Sequence, residues 1–255
     1  MTNVNYEAWL DGISLSSFSP YLYISGIAYK NAECSFGTYE LAGRYGEREQ
    51  SRKWKGAQVE ISFYLKKMDV RERQVILGNI SAWALRGGSL TTGDRAGQAL
   101  RVRCTGLPEV SDVCDWTTPA KITFKAFEKP FWTEVVPATL SMTGSSGNGL
   151  LYVPGNAENA LVEVTITPAS SMANITITVG DTSMTLTGVA ATSSAPVTIT
   201  YDAREILHIQ RGTTSLLNKR TGSDDLLARC GASTAVSFSA SASATVTLAA
   251  KGAWI

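Results

Sequence analysis

Few side chains in this 255-residue chain have the types and spacing that chemistry needs. The only histidine, His208, lies in Glu205-Ile206-Leu207-His208-Ile209-Gln210, where strand alternation puts it on the face opposite Leu207 and Ile209. Nothing near it supplies the nucleophile partner of a triad, so it reads as structural. GxGxxG, GxxxxGK[ST], GxSxG and HExxH are all absent, which removes the usual sequence support for dinucleotide, P-loop, hydrolase-elbow and zincin chemistry. The carboxylate pairs Asp224-Asp225 and Glu47 with Glu49 read as solvated loop charges, because a glycosidase pair is defined by a separation in space. Cys34, Cys104, Cys114 and Cys230 form no CxxC, and the ten-residue spacing of Cys104 and Cys114 is no ligand signature. These cysteines are expected to be buried thiols acting as small apolar residues. No catalytic, cofactor-binding or metal-ligating residue is expected.

Two segments look built for contact instead. From Leu41 to Gly56 the sequence LAGRYGEREQSRKWKG alternates charge sign between strand-like flanks. Its candidate interface residues are Arg44, Tyr45, Glu47, Arg48, Glu49, Arg52 and Trp54, and its charge pattern suits either a solvated loop or a long hairpin whose tip pairs with another subunit. The second segment, Leu90-Thr91-Thr92-Gly93-Asp94-Arg95-Ala96-Gly97, carries two glycines and is expected to be a tight turn.

Bulk properties narrow the partners. With 23 basic and 22 acidic residues the net charge is +1, too small for bulk capture of nucleic acid or an anionic membrane. No specific nucleic-acid binding and no membrane insertion are expected. No basic segment followed by an apolar core opens the chain, and no apolar run reaches membrane-spanning length. Synthesis in a cytosol is therefore expected.

Elements follow from periodicity and composition. Residues 1–140 hold 17 of the 23 basic residues and five of the six tryptophans, and they are read as an N-terminal domain. Ser141 to Gly149, SMTGSSGNG, is nearly all small residues and is read as a linker. Residues 150–255 are read as a second domain, because Thr alternates with Val or Ile in VEVTIT, ITITV and VTITY, the pattern of half-buried antiparallel strands. Short strands recurring at such intervals predict a β-sandwich. The exception is Asp69 to Arg86, where Arg73, Ile76, Leu77, Ile80, Trp83 and Ala84 fall at helical spacing. Asp69 and Glu72 stand in capping-box relation and Gly87-Gly88 provides a stop, which predicts one amphipathic helix packed on a sheet. The fold class expected is mostly β, a β-rich α+β protein.

The succession of these pieces resembles the distal tail proteins of long-tailed, non-contractile bacteriophages and prophages. The residues that carry the likeness are Tyr6-Glu7-Ala8-Trp9-Leu10-Asp11-Gly12-Ile13, then Ile61-Ser62-Phe63-Tyr64-Leu65 with Asp69-Val70-Arg71-Glu72-Arg73, then Leu90-Thr91-Thr92-Gly93-Asp94-Arg95. Ile122-Thr123-Phe124-Lys125-Ala126-Phe127, Pro130-Phe131-Trp132, Pro154-Gly155-Asn156-Ala157, Thr200-Tyr201-Asp202-Ala203 and Leu216-Leu217-Asn218 continue it in order. The resemblance implies an N-terminal β-sandwich or barrel-like domain with one helix and a protruding hairpin, and a C-terminal galectin-like sandwich. It further implies a homo-hexameric ring at the virion tail tip, with tail tube and tape-measure proteins on one side and the tail-associated hub protein on the other. No cofactor and no enzyme activity are implied. By the resemblance, the charged segment Arg44 to Lys55 matches the position of the family's inter-subunit hairpin. The competing expectation is a carbohydrate-binding accessory module acting through the C-terminal sandwich, with a weak host-surface glycan contact. Only Tyr152, Tyr201, Phe238 and Trp254 could supply aromatic platforms there.

Overall fold

A computed structural model describes residues 6–40, 47–66, 69–110, 117–127, 129–202 and 204–255. Cys114 and Trp116 lie outside the described residues, as do Arg44 and Tyr45. The chain divides into two compact units, Met1–Trp132 with Ile255, and Thr133–Trp254.

In the first unit the strands are β1 (Ala8–Leu10), β2 (Ile13–Ser14), β3 (Leu22–Lys30), β4 (Glu33–Glu40), β5 (Glu47–Lys55), β6 (Gln58–Lys66), β7 (Gly88–Thr92), β8 (Gln98–Val110) and β9 (Thr117–Ala126). One helix, α1 (Val70–Arg86), precedes β7. The sheet order β2-β1-β7-β8-β9-β6-β3 is antiparallel at each pairing. Strand β6 alternates, with Val59, Ile61, Phe63 and Leu65 buried, and it meets Ile122 and Phe124 of β9 on the same face. The helix lays Ile76, Ile80, Trp83 and Ala84 into that core, with the Trp83 ring edge-on to Phe124 at 5.9 Å. Its bounds and stripe are those expected from the sequence, with Leu77 at the half-buried margin. Asp69 is the N-cap, but its side chain makes no capping hydrogen bond. The capping box is therefore not formed, and the helix rests on its packed face.

The second unit contains β11 (Ala138–Tyr152), β12 (Asn159–Pro168), β13 (Met172–Val179), β14 (Thr182–Ala191), β15 (Val197–Tyr201), β16 (Leu207–Arg211), β17 (Thr214–Ser215), β18 (Arg220–Gly222), β19 (Leu227–Arg229), β20 (Ser233–Ala250) and β21 (Ala253–Trp254), while β10 (Trp132–Glu134) spans the division between the units. The 18-residue strand β20 organises it. Its first half pairs with β13 and its second half with β12, while β11 follows it along both halves. At the change of partner, Ser241 Oγ accepts the backbone N–H groups of Ala173 and Asn174 at 2.9 and 3.1 Å. A long strand that exchanges sheet partners at a bend is how a sandwich turns its corner. Val162, Val164, Ile166, Ile175, Ile177, Val197, Ile199, Val246 and Leu248 fill the interior, as the Thr alternation predicts.

One expectation is overturned. Residues 141–149 are no linker: they form the middle of β11, and the units divide at Thr133 instead. The strand register shifts between Gly144 and Ser146, opposite the bend in β20. Beyond that shift, a Cβ on Gly147 would come within 2.7 Å of the Phe238 ring and 3.4 Å of Met142, and one on Gly149 within 3.1 Å of Leu140. The small residues are thus required where the two halves of one strand face each other across the corner. Among the described residues no helix is long and apolar enough to cross a membrane.

Candidate assembly surface

Strands β4 and β5 form a two-stranded sheet of their own. The ladder of β3 with β6 ends at Lys30 opposite Gln58, and the next pair along the chain is Glu33 opposite Lys55. The hairpin therefore extends the β3–β6 ribbon past the edge of the sheet. Glu33 accepts ion pairs from Lys30 at 3.5 Å and Lys55 at 3.6 Å. Trp54 sits edge-on to Phe131 at 5.1 Å between ring centres. These contacts hold the base. An isolated two-stranded ribbon is marginally stable in water.

The structure places the predicted interface residues as follows. Arg44 and Tyr45 lie outside the described residues. Glu47, Arg48, Glu49 and Arg52 stand in β5 opposite Glu40, Tyr39, Thr38 and Phe36, and Trp54 opposite Cys34. The whole segment from Glu47 is regular strand, and the register shifts once between Gly37 and Thr38. Sequence reasoning missed the other strand. Phe36, Tyr39 and Trp54 are 55%, 42% and 37% exposed, so the ribbon presents aromatic surface as well as charge. The signal was present in Glu33-Cys34-Ser35-Phe36-Gly37-Thr38-Tyr39-Glu40, whose two aromatics are interleaved with small and polar residues.

The second predicted loop does more than turn. Gly93–Arg95 forms a single 3-10 turn after β7. The Tyr29 hydroxyl donates to Asp94 and lies 2.9 Å from Thr92 Oγ1. The Arg95 guanidinium sits 4.7 Å from the Tyr29 ring and 4.9 Å from the Trp132 ring. Burial, then the Asp94 carboxylate, push the Tyr29 hydroxyl pKa far above its ordinary value. The loop clamps β3.

Among groups with chemical potential, His208 is exposed on β16 with its Nε2 3.8 Å from Asp202 Oδ2. The Ile206 N–H and then the Arg204 N–H, aided by His208, hold the Asp202 carboxyl below its usual range. This is a capped turn, with no nucleophile in the arrangement. Cys230 is buried, whereas Cys34 and Cys104 are only half-buried, which corrects the expectation of fully buried thiols. Both half-buried thiols stand in strands that carry one solvent-facing side. Burial pushes the Cys104 and Cys230 thiols up. No cluster of three metal-ligating side chains occurs among the described residues. Of the four aromatics of the C-terminal unit only Tyr152 is exposed. Phe238 is buried, the Tyr201 hydroxyl accepts the Leu226 N–H at 3.1 Å, and the Trp254 indole donates to Glu134 at 2.7 Å.

No protein-family model matches the chain, and no curated protein matches it. Among solved structures it is similar to the crystal structure of the Dit protein (gp 19.1) of phage SPP1, described as a paradigm of the hub adsorption apparatus in phages infecting Gram-positive bacteria. The TM-score is 0.72 over 96% of this chain and 98% of that one, at 12% identity. Chains of the phage p2 baseplate in its activated conformation, with strontium or calcium, align at TM-scores of 0.49 and 0.48 and 11% identity, covering 96% and 97% of this chain and 97% of each of theirs.

Proposed function

With the SPP1 Dit fold as premise, we propose that this chain is a structural component of a phage tail tip, a non-enzymatic hub protein located in the virion. The observation that carries the reading is the likeness over nearly the full length of both chains, two units included. On this reading six copies close a ring by repeating one heterologous contact about a sixfold axis. The ring joins the tail tube and tape-measure proteins to the tail-associated hub protein. The β4–β5 ribbon makes the contact between neighbours, because it stands as a sheet of its own and carries exposed aromatic side chains beside basic and acidic residues. The alternating signs let Arg44, Arg48 and Arg52 meet carboxylates of an identical copy.

The test is the solution mass of the purified protein across a wide concentration range, with negative-stain images of the largest species. A mass six times 27.3 kDa with ring-shaped particles is expected. Reversing Arg44 and Arg48 together is expected to weaken ring formation while the monomer stays folded. If the double variant assembles as well as the parent at matched concentration and salt, the hairpin does not make the contact.

A further inference from the structure

At the C-terminal end of α1 a cavity of about 310 Å³ opens between the helix exit and strand β8. Gly87 and Gly88, at φ of 62° and 136°, line it without side chains. A Cβ on Gly88 would stand 2.1 Å from the Asp11 carboxylate, and one on Gly87 would stand 2.8 Å from the Val102 carbonyl. Three guanidinium groups line it, those of Arg86, Arg101 and Arg103, against the single carboxylate of Asp11. That carboxylate already accepts the Ser89 N–H at 2.8 Å. Among the described residues neither Arg86 nor Arg103 has an ion-pair or hydrogen-bond partner. Leu85 and Phe127, 62% and 57% exposed, stand on the rim.

We infer that this cleft binds an acidic segment of another polypeptide, taking a carboxylate side chain between Arg86 and Arg103 and the segment's apolar neighbours against Leu85 and Phe127. Two unpartnered guanidiniums beside a cavity of this size match one or two carboxylates bidentately. Lys125 Nζ lies 5.6 Å from the Phe127 ring and adds a further positive charge beside the cleft, while Lys121, farther along β9, is paired with Glu60 at 2.6 Å. The large apolar side chains on the rim have no counterpart on a phosphate backbone. No residue that lines the cleft belongs to β4 or β5, and its test does not need the ring to form.

The test is calorimetric titration of the full chain at low salt with a terminally blocked hexapeptide alternating Glu and Leu, beside the same peptide with Gln for Glu. The Glu peptide is expected to bind about tenfold more tightly. Arg86→Glu with Arg103→Glu is expected to remove that preference, and Lys219→Glu with Arg229→Glu, an equal charge change on exposed residues of the second unit, to leave it unchanged. Melting curves establish that both variants are folded. Equal binding of the two peptides, or equal loss in both variants, would overturn the inference. Displacement of the peptide by equimolar inorganic phosphate would do so as well, leaving only a simple anion site.

Discussion

Tyr201 shows how one half-buried polar group ties stability to pH. Its hydroxyl accepts the Leu226 N–H, and burial pushes its pKa up to about 12. The folded state therefore keeps the proton where the unfolded chain, near its ordinary value of about 10, has lost it. A raised folded pKa means the stabilisation is complete below about pH 10 and is lost as pH rises through about 12. Denaturation followed from pH 8 upward should show this decline, and absorbance at 295 nm should show a late-ionising tyrosine. Tyr201→Phe should flatten the contribution of this residue, leaving that of Tyr29, which shifts in the same direction. The same variant should cost about 1 to 3 kcal/mol at neutral pH, since the Leu226 N–H loses its acceptor. A variant as stable as the parent would mean that water replaces the hydroxyl. Asp202 acts in the opposite sense: with its pKa held down by backbone N–H groups, its contribution is present at neutral pH and is lost in acid as pH falls through the folded value.

Strand β11 illustrates how composition misleads about an element. Eight of the nine residues from Ser141 to Gly149 are Ser, Gly, Thr or Asn, which in an isolated chain favours a flexible connection. Here that run pairs with β20 on both sides of its register shift, and Ser141 and Thr143 reach Thr247 and Thr245 at 3.1 Å each. The required smallness comes from Phe238, Leu140 and Met142 on the inner face. Gly147→Val should therefore cost about 1 to 3 kcal/mol through overpacking, while Asn148→Val on the outer face should change stability by no more than about 0.5 kcal/mol. Chemical denaturation of the two variants separates the cases. Equal effects would mean that the corner relaxes around a side chain. The helix is the converse example. Its stripe was legible because a period of 3.6 is set by the chain alone, yet its capping hydrogen bond was not, because a cap depends on the rotamer Asp69 adopts in the folded protein.

For the proposed ring, charge and apolar area make opposite demands on salt. Exposed ion pairs weaken as the screening length falls from roughly 10 Å at about 0.1 M to roughly 3 Å at about 1 M ionic strength. Apolar contacts strengthen with excluded salts such as sulfate. If the arginines of the β4–β5 ribbon hold the ring, the hexamer fraction at fixed protein concentration should fall as sodium chloride is raised. A fraction that holds or grows would assign the contact to Phe36, Tyr39 and Trp54 instead. Of the candidate surface, the charged run and Trp54 were legible in the sequence, while Phe36 and Tyr39 became visible only when β4 was seen to leave the sheet. The same holds for the cleft at the end of α1: Arg86, Arg101 and Arg103 look like ordinary surface charges until the helix exit and β8 are set side by side. What the residues dictated without help from the fold was whatever depends on neighbours a few positions away: the helix and its stop, the alternating strands of the second unit, and the lack of catalytic spacing. The folded chain alone settled the reading of small residues as strand or linker, the division of β20 between β12 and β13, and which charges end up without partners. These depend on groups dozens of residues apart, and close approach at a corner or an unbalanced cavity has no periodicity to betray it.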